Sequence, residues 1–208
     1  MSKAESAVER LLAAELGRKP RADAQRNVHR LVEAARTAIA EVGVDVTAHE
    51  IARRAGVGIG TFYRRLPSRE VLLQAVLTDT VDEIVALAHD VLRDPDPWRG
   101  FCVFADEFVR LRAASCGINE ALGGECPLEI DESLATLRDQ FRQLVGRAQD
   151  AGAIRADIAW QDVPFLLSSV ITADRTIGLQ AEPEQWRRNL RIVLDGLGGD
   201  RAPAAAPG

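Results

Sequence analysis

The sequence lacks the features that mark several functional classes. Its 208 residues include three cysteines, Cys102, Cys116 and Cys126, which are too few and too widely spaced for a disulfide framework. No apolar run approaches the roughly 20 residues that a membrane helix needs. The first residues carry Glu5 and Glu9 in place of a secretory signal. These absences exclude disulfide-rich secreted proteins and membrane-spanning proteins, and they predict a cytoplasmic protein.

Patterns typical of catalysis and metal binding are also missing. The three histidines, His29, His49 and His89, all fall on predicted helices, where a solvated surface position is the usual explanation. No nucleophile elbow, metal cluster or pair of carboxylates accompanies them. We therefore expect no catalytic residue, no metal and no cofactor, and we do not expect an enzyme.

Acidic residues outnumber basic ones in the chain as a whole, 31 to 26, so the net charge is −5. It is also unevenly distributed: residues 1–75 hold 13 Lys and Arg against 9 Asp and Glu, whereas residues 76–208 carry a net charge of −9. This asymmetry is typical of a basic surface that faces a polyanion and an acidic remainder held away from it. Since most small acidic domains do not bind nucleic acids, the asymmetry is only supporting evidence.

The apolar residues recur with the helical period almost throughout, and no segment alternates convincingly with period two. The pattern predicts an all-α protein with an N-terminal three-helix head and a larger helical C-terminal body. The predicted helices span residues 24–42, 47–55, 59–66, 68–93, 97–114, 117–122, 128–151, 160–178 and 184–197.

Two short predicted helices between Thr47 and Arg69 are joined by a glycine turn. Thr47-x-x-Glu50 is a capping box that starts the first of them, and Gly56 permits the left-handed backbone that a tight turn needs. A short, exposed second helix of this kind fits a DNA major groove. A plain helical hairpin with a solvated basic face is the alternative.

Nine residues of this region remain outside its apolar faces, and we predict that they contact DNA. Thr47 and Tyr63 suit phosphate oxygens, while Arg64 or Arg65 suits guanine. Arg69 can clamp a flanking phosphate. The full predicted DNA-binding set is Thr47, His49, Ile59, Gly60, Thr61, Tyr63, Arg64, Arg65 and Arg69.

Over about residues 24–80 the sequence resembles the N-terminal domain of TetR-type transcriptional repressors. The matching framework is Thr47, Ile51-Ala52, Ala55-Gly56-Val57, Gly60-Thr61-Phe62-Tyr63 and Pro67-Ser68-Arg69. Two positions depart from it, since Ile59 stands where a polar or basic residue is often found and Leu66 replaces a usual aromatic. The resemblance implies a homodimer that represses transcription from a double-stranded DNA operator until a small-molecule effector binds.

In the body, the helix after Pro97 carries a stripe of aromatic residues. An apolar core is the ordinary explanation of such a stripe. The resemblance implies instead that the region lines an effector pocket, with candidate lining residues Phe101, Phe104, Phe108, Ile118, Phe141 and Phe165.

The last two predicted helices are candidates for a seam between two subunits, and the alternative is that they close the core of a single chain. A C2 dimer would hold two recognition helices at a spacing that matches a palindromic operator. The predicted seam consists of Phe165, Leu166, Ser169, Val170, Ala173, Leu190, Val193, Leu194 and Leu197.

The predicted domain organisation has four parts. Residues 1–23 form a flexible arm, and residues 24–70 form the helix-turn-helix domain, with its connecting helix reaching about residue 93. Residues 71–200 form the effector-binding and dimerisation domain, and residues 201–208 form a disordered tail. Two alternative functions remain: the same head triggered by oxidation of Cys116 or Cys126, and a helical adaptor that binds protein.

Overall fold

The computed structural model describes residues 6–16, 22–123, 126–171 and 175–199. Within them the chain is almost entirely helical, which confirms the predicted all-α class. The helices are α1 Ala7–Leu16, α2 Ala22–Val42, α3 Ala48–Ala55, α4 Ile59–Arg65, α5 Arg69–Val91, α6 Pro97–Ala114, α7 Cys116–Gly123, α8 Asp131–Asp150, α9 Asp162–Ser169 and α10 Gln185–Leu197. Strands β1 Arg175–Thr176 and β2 Leu179–Gln180 precede α10. The predicted tail at 201–208 lies outside the described residues.

The chain divides into two compact units. Unit 1 comprises Met1–Glu83 and Ala114–Leu134, and unit 2 comprises Ile84–Ala113 and Ala135–Gly208. Unit 1 therefore contains the helix-turn-helix region together with α7, which is distant from it in sequence.

The core of unit 1 is built around α2. Val28, Leu31, Ala35 and Ile39 recur every three or four residues on this helix, and all four are almost completely buried. Gly43 follows the helix with a φ of 92°, a conformation that L side chains rarely adopt. The buried faces of α1, α3, α4, α7 and the first half of α5 complete the cluster.

Helix α1 corrects the prediction of a flexible arm at residues 1–23. Val8 and Leu11 are buried in the core of unit 1. The helix begins at the carboxylate of Asp79, which accepts hydrogen bonds from the backbone amides of Ala7 at 2.5 Å and of Val8 at 3.3 Å. Asp79 is itself only 5% exposed, and Arg36 lies 3.6 Å from it. The local sequence does not indicate that α1 packs in this way, because its capping partner Asp79 is 72 residues away. Residues 1–5 and 17–21 lie outside the described residues.

Helix α6 of unit 2 begins directly after Asp96. Asp96 caps α6 because its carboxylate accepts from the amides of Trp98 and Arg99 at 3.0 and 3.1 Å. The helix then buries its aromatic stripe against α8. Near the C-terminus an isolated antiparallel bridge joins Ile154 to Gly198, so the turn after α8 is tied to the end of α10.

The prediction of one helix over residues 160–178 was wrong. Helix α9 ends at Ser169, and β1 and β2 form an antiparallel hairpin closed by Ile177 and Gly178. Both turn residues have positive φ, 41° and 83°, which matches the twist of a two-residue hairpin. Gly178 was the one residue that indicated a turn here, because the strands are too short to show alternation.

No helix among the described residues is long and apolar enough to cross a membrane.

Part of the predicted seam lies in the core of the single chain. Leu190, Leu194 and Leu197 are buried within unit 2, as is Val170, so these residues close the core of the single chain. The exposed apolar residues of α9 and α10 are Phe165, Leu166 and Ile192. Ala173 lies outside the described residues.

Candidate nucleic-acid interface

The turn between α3 and α4 is fixed by local backbone chemistry. Thr47 caps α3, because its hydroxyl oxygen accepts from the amide of Glu50 at 3.2 Å. Gly56 ends α3 with a φ of 64° and donates its own amide to Ala52 and Arg53. Gly58 caps α4, and the amide of Thr61 donates to its carbonyl at 2.8 Å. The predicted helix-turn-helix is therefore present, with both ends of the turn hydrogen-bonded.

Small and aromatic side chains hold the two helices against α2. Helix α3 buries four residues, Ala48, Ile51, Ala52 and Ala55, and the alanines let the helices approach closely. Phe62 is fully buried and anchors α4. Its ring meets that of Tyr63 edge to face, with 5.2 Å between centroids. Because the anchor is rigid, the opposite face of α4 is held outward in one orientation.

The exposed face of α4 carries the chemistry expected of a DNA-reading surface. Tyr63 is 58% exposed, and Arg64 is exposed with a single described partner, the Thr61 hydroxyl, to which Nη2 donates at 3.1 Å. Gly60 is exposed, and a Cβ built on it would meet nothing within 4 Å. Nothing in the described part of the chain therefore requires glycine at this helical position.

The remaining predicted DNA contacts are less accessible or otherwise engaged. Thr47 and His49 are exposed at the start of α3, whereas Ile59 is half-buried and packs against the core of unit 1. Arg65 is half-buried, and its Nε has no hydrogen-bond partner among the described residues.

Arg69 holds a loop of its own unit. Its Nη1 donates to the carbonyls of Val44 and Val46, both at 2.8 Å, and its Nε lies 3.0 Å from a carboxylate oxygen of Glu70. No local pattern indicates this arrangement, because Arg69 and Val44 are 25 residues apart.

Two arginines of α3 are neutralised by acidic neighbours. The carboxylate of Glu50 accepts from Arg53 and from Arg54 at 2.7 Å each, and Arg54 also pairs with Glu41 at 2.5 Å. The hydrogen bonds from Arg53 and then Arg54 lower the pKa of Glu50 to about 2. This pairing therefore stabilises the fold above the ordinary carboxyl pKa and is lost only as the pH falls towards 2.

The structure also brings basic groups of α2 to the turn, which sequence reasoning missed. Arg30 lies beside Gly56, since a Cβ at Gly56 would be 2.6 Å from its Nη2. An open groove of about 520 Å³ runs along this side of unit 1, lined by His29, Arg30, Glu33, Ala34, Thr37, Arg54 and Ala55. The helical period of α2 indicates that His29 and Arg30 are exposed, because it places them on the face opposite the buried one.

Four of the six predicted effector contacts are buried in unit 2, and three of them, Phe104, Phe108 and Phe141, are in mutual ring contact. Phe101, Phe104, Phe108 and Phe141 are almost completely buried. The ring of Phe141 meets those of Phe104 and Phe108 edge to face, at 4.9 and 5.0 Å between centroids. The other two do not join this cluster, because Phe165 is 77% exposed and Ile118 belongs to the core of unit 1.

One charged group lies beside the aromatic cluster, and one buried polar atom lies elsewhere on α8. Arg112 is half-buried, with its guanidinium 5.6 Å from the centroid of Phe108 and Nη1 donating to the Ser168 hydroxyl at 2.6 Å. Burial lowers the pKa of Arg112. On α8, next to Phe141 in the sequence, the Oε1 atom of Gln140 is buried and has no hydrogen-bond partner among the described residues.

Comparison with known proteins gives matches over both units. Residues 31–76 match the family described as "Bacterial regulatory proteins, tetR family", and residues 96–199 match the "Transcriptional regulator SbtR-like, C-terminal domain". The curated HTH-type transcriptional regulator SAR0097 of Staphylococcus aureus (strain MRSA252) is 32% identical over 84 residues, which is 39% of this chain. The chain spans only 44% of that relative's length.

Solved structures extend the match to most of the chain. A TetR transcription regulatory protein from Mycobacterium vanbaalenii is 35% identical with a TM-score of 0.56, covering 85% of this chain and 98% of that one. The TetR transcriptional regulator SCO0520 from Streptomyces coelicolor is 28% identical with a TM-score of 0.59, covering 83% and 98%. With the exposed face of α4 and the two family matches, these similarities identify the protein: the chain belongs to the TetR family of DNA-binding transcriptional regulators.

Proposed function

We propose that the protein is a homodimeric repressor that a small-molecule effector releases from a palindromic operator. In this proposal residues 24–70 bind DNA, while residues 71–200 bind the effector and form the dimer. The observation that carries it is the exposed face of α4, where Tyr63, Arg64 and an unhindered Gly60 lie side by side on a helix anchored by Phe62. Phosphate contacts position such a helix, and base-edge contacts give it specificity.

Binding to DNA from the region upstream of the protein's own gene tests the proposal directly. We expect two chains per duplex, with an affinity that falls steeply as salt rises, because arginine contacts release counterions from the phosphates. A gel-shift titration at several salt concentrations, with a scrambled duplex as the control, measures both. Equal binding to the scrambled duplex, or no salt-sensitive binding to any upstream fragment, would exclude a sequence-specific regulator acting there.

The proposed DNA contacts rank by accessibility. Arg64 and Tyr63 are open to solvent and form the centre of the surface, and Thr47 and His49 extend it along α3. Thr61 and Arg65 are half-buried, so we expect each to use only part of its side chain. Ile59 presents the limited apolar surface that its packing against the core leaves free, which suits a thymine methyl.

The Gly60→Ala variant separates folding from DNA binding. Alanine at this helical position lowers the backbone entropy of the unfolded chain, so we expect the free energy of unfolding to rise by about 0.5–1 kcal/mol. We expect operator affinity to fall about tenfold or more, because the added methyl group keeps the helix backbone out of the groove. Contacts to base edges, worth about 1–3 kcal/mol each, are then lost. Chemical denaturation and DNA titration of the same sample measure the two effects.

Gly146→Ala is the matched control for this variant. Gly146 also lies inside a helix, α8, and a Cβ there also meets nothing within 4 Å. We expect the same gain in stability and an unchanged operator affinity. If Gly60→Ala binds the operator as tightly as Gly146→Ala does, the backbone at Gly60 does not approach DNA.

The exposed apolar residues of unit 2 support self-association. Phe165 is 77% exposed, Leu166 37% and Ile192 71%. All three lie on the two helices, α9 and α10, for which the family resemblance implies a subunit interface. A C2 dimer uses the same patch on both chains, so an apolar patch is buried against its own copy.

The aromatic cluster of unit 2 supports an effector of limited polarity. Phe104, Phe108 and Phe141 pack ring against ring, so a ligand enters by separating them. Release from DNA then requires only that the effector bind more tightly to a dimer whose heads do not match the operator.

A further inference from the structure

The loop between α2 and α3, residues 43–47, is held by side chains from two other helices of unit 1. This loop ends at Thr47, the residue that caps α3, so its conformation sets where α3 and the following turn begin. Arg69 reaches it from the start of α5, and Glu120 reaches it from α7. These contacts join residues 25 and 76 positions apart in the chain.

Glu120 binds the start of the loop. Its Oε2 accepts a hydrogen bond from the amide of Val44 at 2.8 Å. Its carboxylate also fills the space beside Gly43, where a Cβ would lie 2.4 Å from Oε1. Gly43 is therefore glycine for two independent reasons, its φ of 92° and the carboxylate packed against it.

Arg69 binds the carbonyls of the same loop. Nη1 donates to Val44 and to Val46, so the amide and the carbonyl of Val44 are each held by a charged side chain from a different helix. The side chains of Val44 and Val46 are buried in the core of unit 1. A loop fixed on both its polar and its apolar sides has one accessible conformation while both partners are present.

Helix α7 is seated against α2, which fixes the position of Glu120. A Cβ on Gly117 would lie 2.3 Å from Cγ2 of Ile39, so the helix backbone is in direct contact with that side chain. Ile118 and Ala121 are buried on the same helix. If α7 leaves this position, the amide of Val44 loses its acceptor, and an unmade bond in a partly buried site costs more than the bond contributes.

We propose that Glu120 and Arg69 are positioning residues for DNA binding, and that the seating of α7 on α2 sets the operator affinity. The inference rests on the proposed function, since it concerns how tightly the same surface binds DNA. It gives Arg69 a role in place of the predicted phosphate clamp.

Two conservative variants of Glu120 distinguish the effect of side-chain length from the effect of negative charge. Glu120→Gln keeps an acceptor oxygen at the same reach but removes the charge, whereas Glu120→Asp keeps the charge and is one methylene too short for Val44. We expect Glu120→Asp to lower operator affinity by about 2- to 30-fold, the range for residues that act through a coupled element. We expect Glu120→Gln to bind within about twofold of the wild type.

An electrostatic role for Glu120 gives the opposite order. A carboxylate near DNA repels phosphates, so its removal in Glu120→Gln would strengthen binding and Glu120→Asp would leave it unchanged. Glu129→Ala is the control for loss of one exposed negative charge in the same unit. Helix content from circular dichroism establishes that each variant is folded, and amide exchange at Val44 reports the lost hydrogen bond.

The salt dependence of Arg69→Ala tests the second half of the proposal. A positioning residue lowers the affinity without changing the slope of log K against log salt concentration. A phosphate contact lowers that slope by about one. A slope reduced by about one, or a Glu120→Asp variant that binds as tightly as wild type, overturns the inference. Failure of the wild type to bind any upstream fragment overturns the proposed function instead, so the two failures are distinguishable.

Discussion

The Arg64→Ala, Arg65→Ala double variant should bind operator DNA ~100-fold more weakly than the wild type, or weaker still. Loss of an arginine that pairs with a base edge costs about 1–3 kcal/mol, and loss of a phosphate contact also lowers the salt slope by about one. Arg64 contributes little to the fold, since its one described hydrogen bond is to Thr61 on the surface. Gel-shift titration at three salt concentrations measures the affinity and the slope together.

A matched pair of arginines controls for loss of charge alone. Arg138 and Arg142 lie exposed on α8 in unit 2, so Arg138→Ala with Arg142→Ala removes two positive charges from the unit that does not contain α4. We expect this control to change operator affinity by no more than a few-fold. Equal losses in the two double variants would show that net charge, and not the α4 surface, determines binding. Circular dichroism checks that both proteins keep their helix content.

The second large effect concerns assembly. We expect the Phe165→Glu, Ile192→Glu variant to be a folded monomer of 22.6 kDa that has lost operator binding. Both side chains are mostly exposed in the single chain, so the substitutions cost its fold little. In a dimer they would place four carboxylates in an apolar seam, where an unpaired charge costs several kcal/mol. Light scattering gives the mass, and a DNA titration gives the affinity.

Val103→Glu tests whether any exposed apolar residue of unit 2 has this effect. Val103 lies on α6 and is 47% exposed. We expect this variant to stay dimeric and to bind DNA. A wild-type protein that is monomeric at the concentrations used for DNA binding, or a double variant that remains a dimer, would falsify the assignment of the seam to α9 and α10.

The helix-turn-helix was predictable because its signals are local. Three helices are capped by the residue just before them, through hydrogen bonds that span two or three residues: Thr47, Ser68 and Asp96. Gly56 adopts the left-handed conformation that glycine favours. The predicted bounds of α3 and α4 differ from the observed ones by a single residue. Signals of this kind depend on the backbone within one turn, so the sequence carries them in full.

The partners of individual side chains were not predictable, because they depend on which helices become neighbours. Helix α10 has apolar residues on two faces, and its periodicity does not say that Leu190 faces the core of its own chain while Ile192 faces outward. Arg69 has the charge and position of a phosphate contact, yet it donates to Val44 and Val46. The arm predicted to be flexible at residues 1–23 contains α1, and Asp79, which caps the start of that helix, lies far away in the sequence.

The ion pairs of α3 have a consequence for how such a protein finds its target in a genome. Non-specific affinity grows with the number of cations free to meet phosphates, and a genome offers about 10⁶–10⁹ competing sites. Glu50 and Glu41 occupy Arg53 and Arg54. Under the proposed function, the head therefore offers fewer free arginines to random duplex than it contains, and recognition of the operator depends more on Arg64.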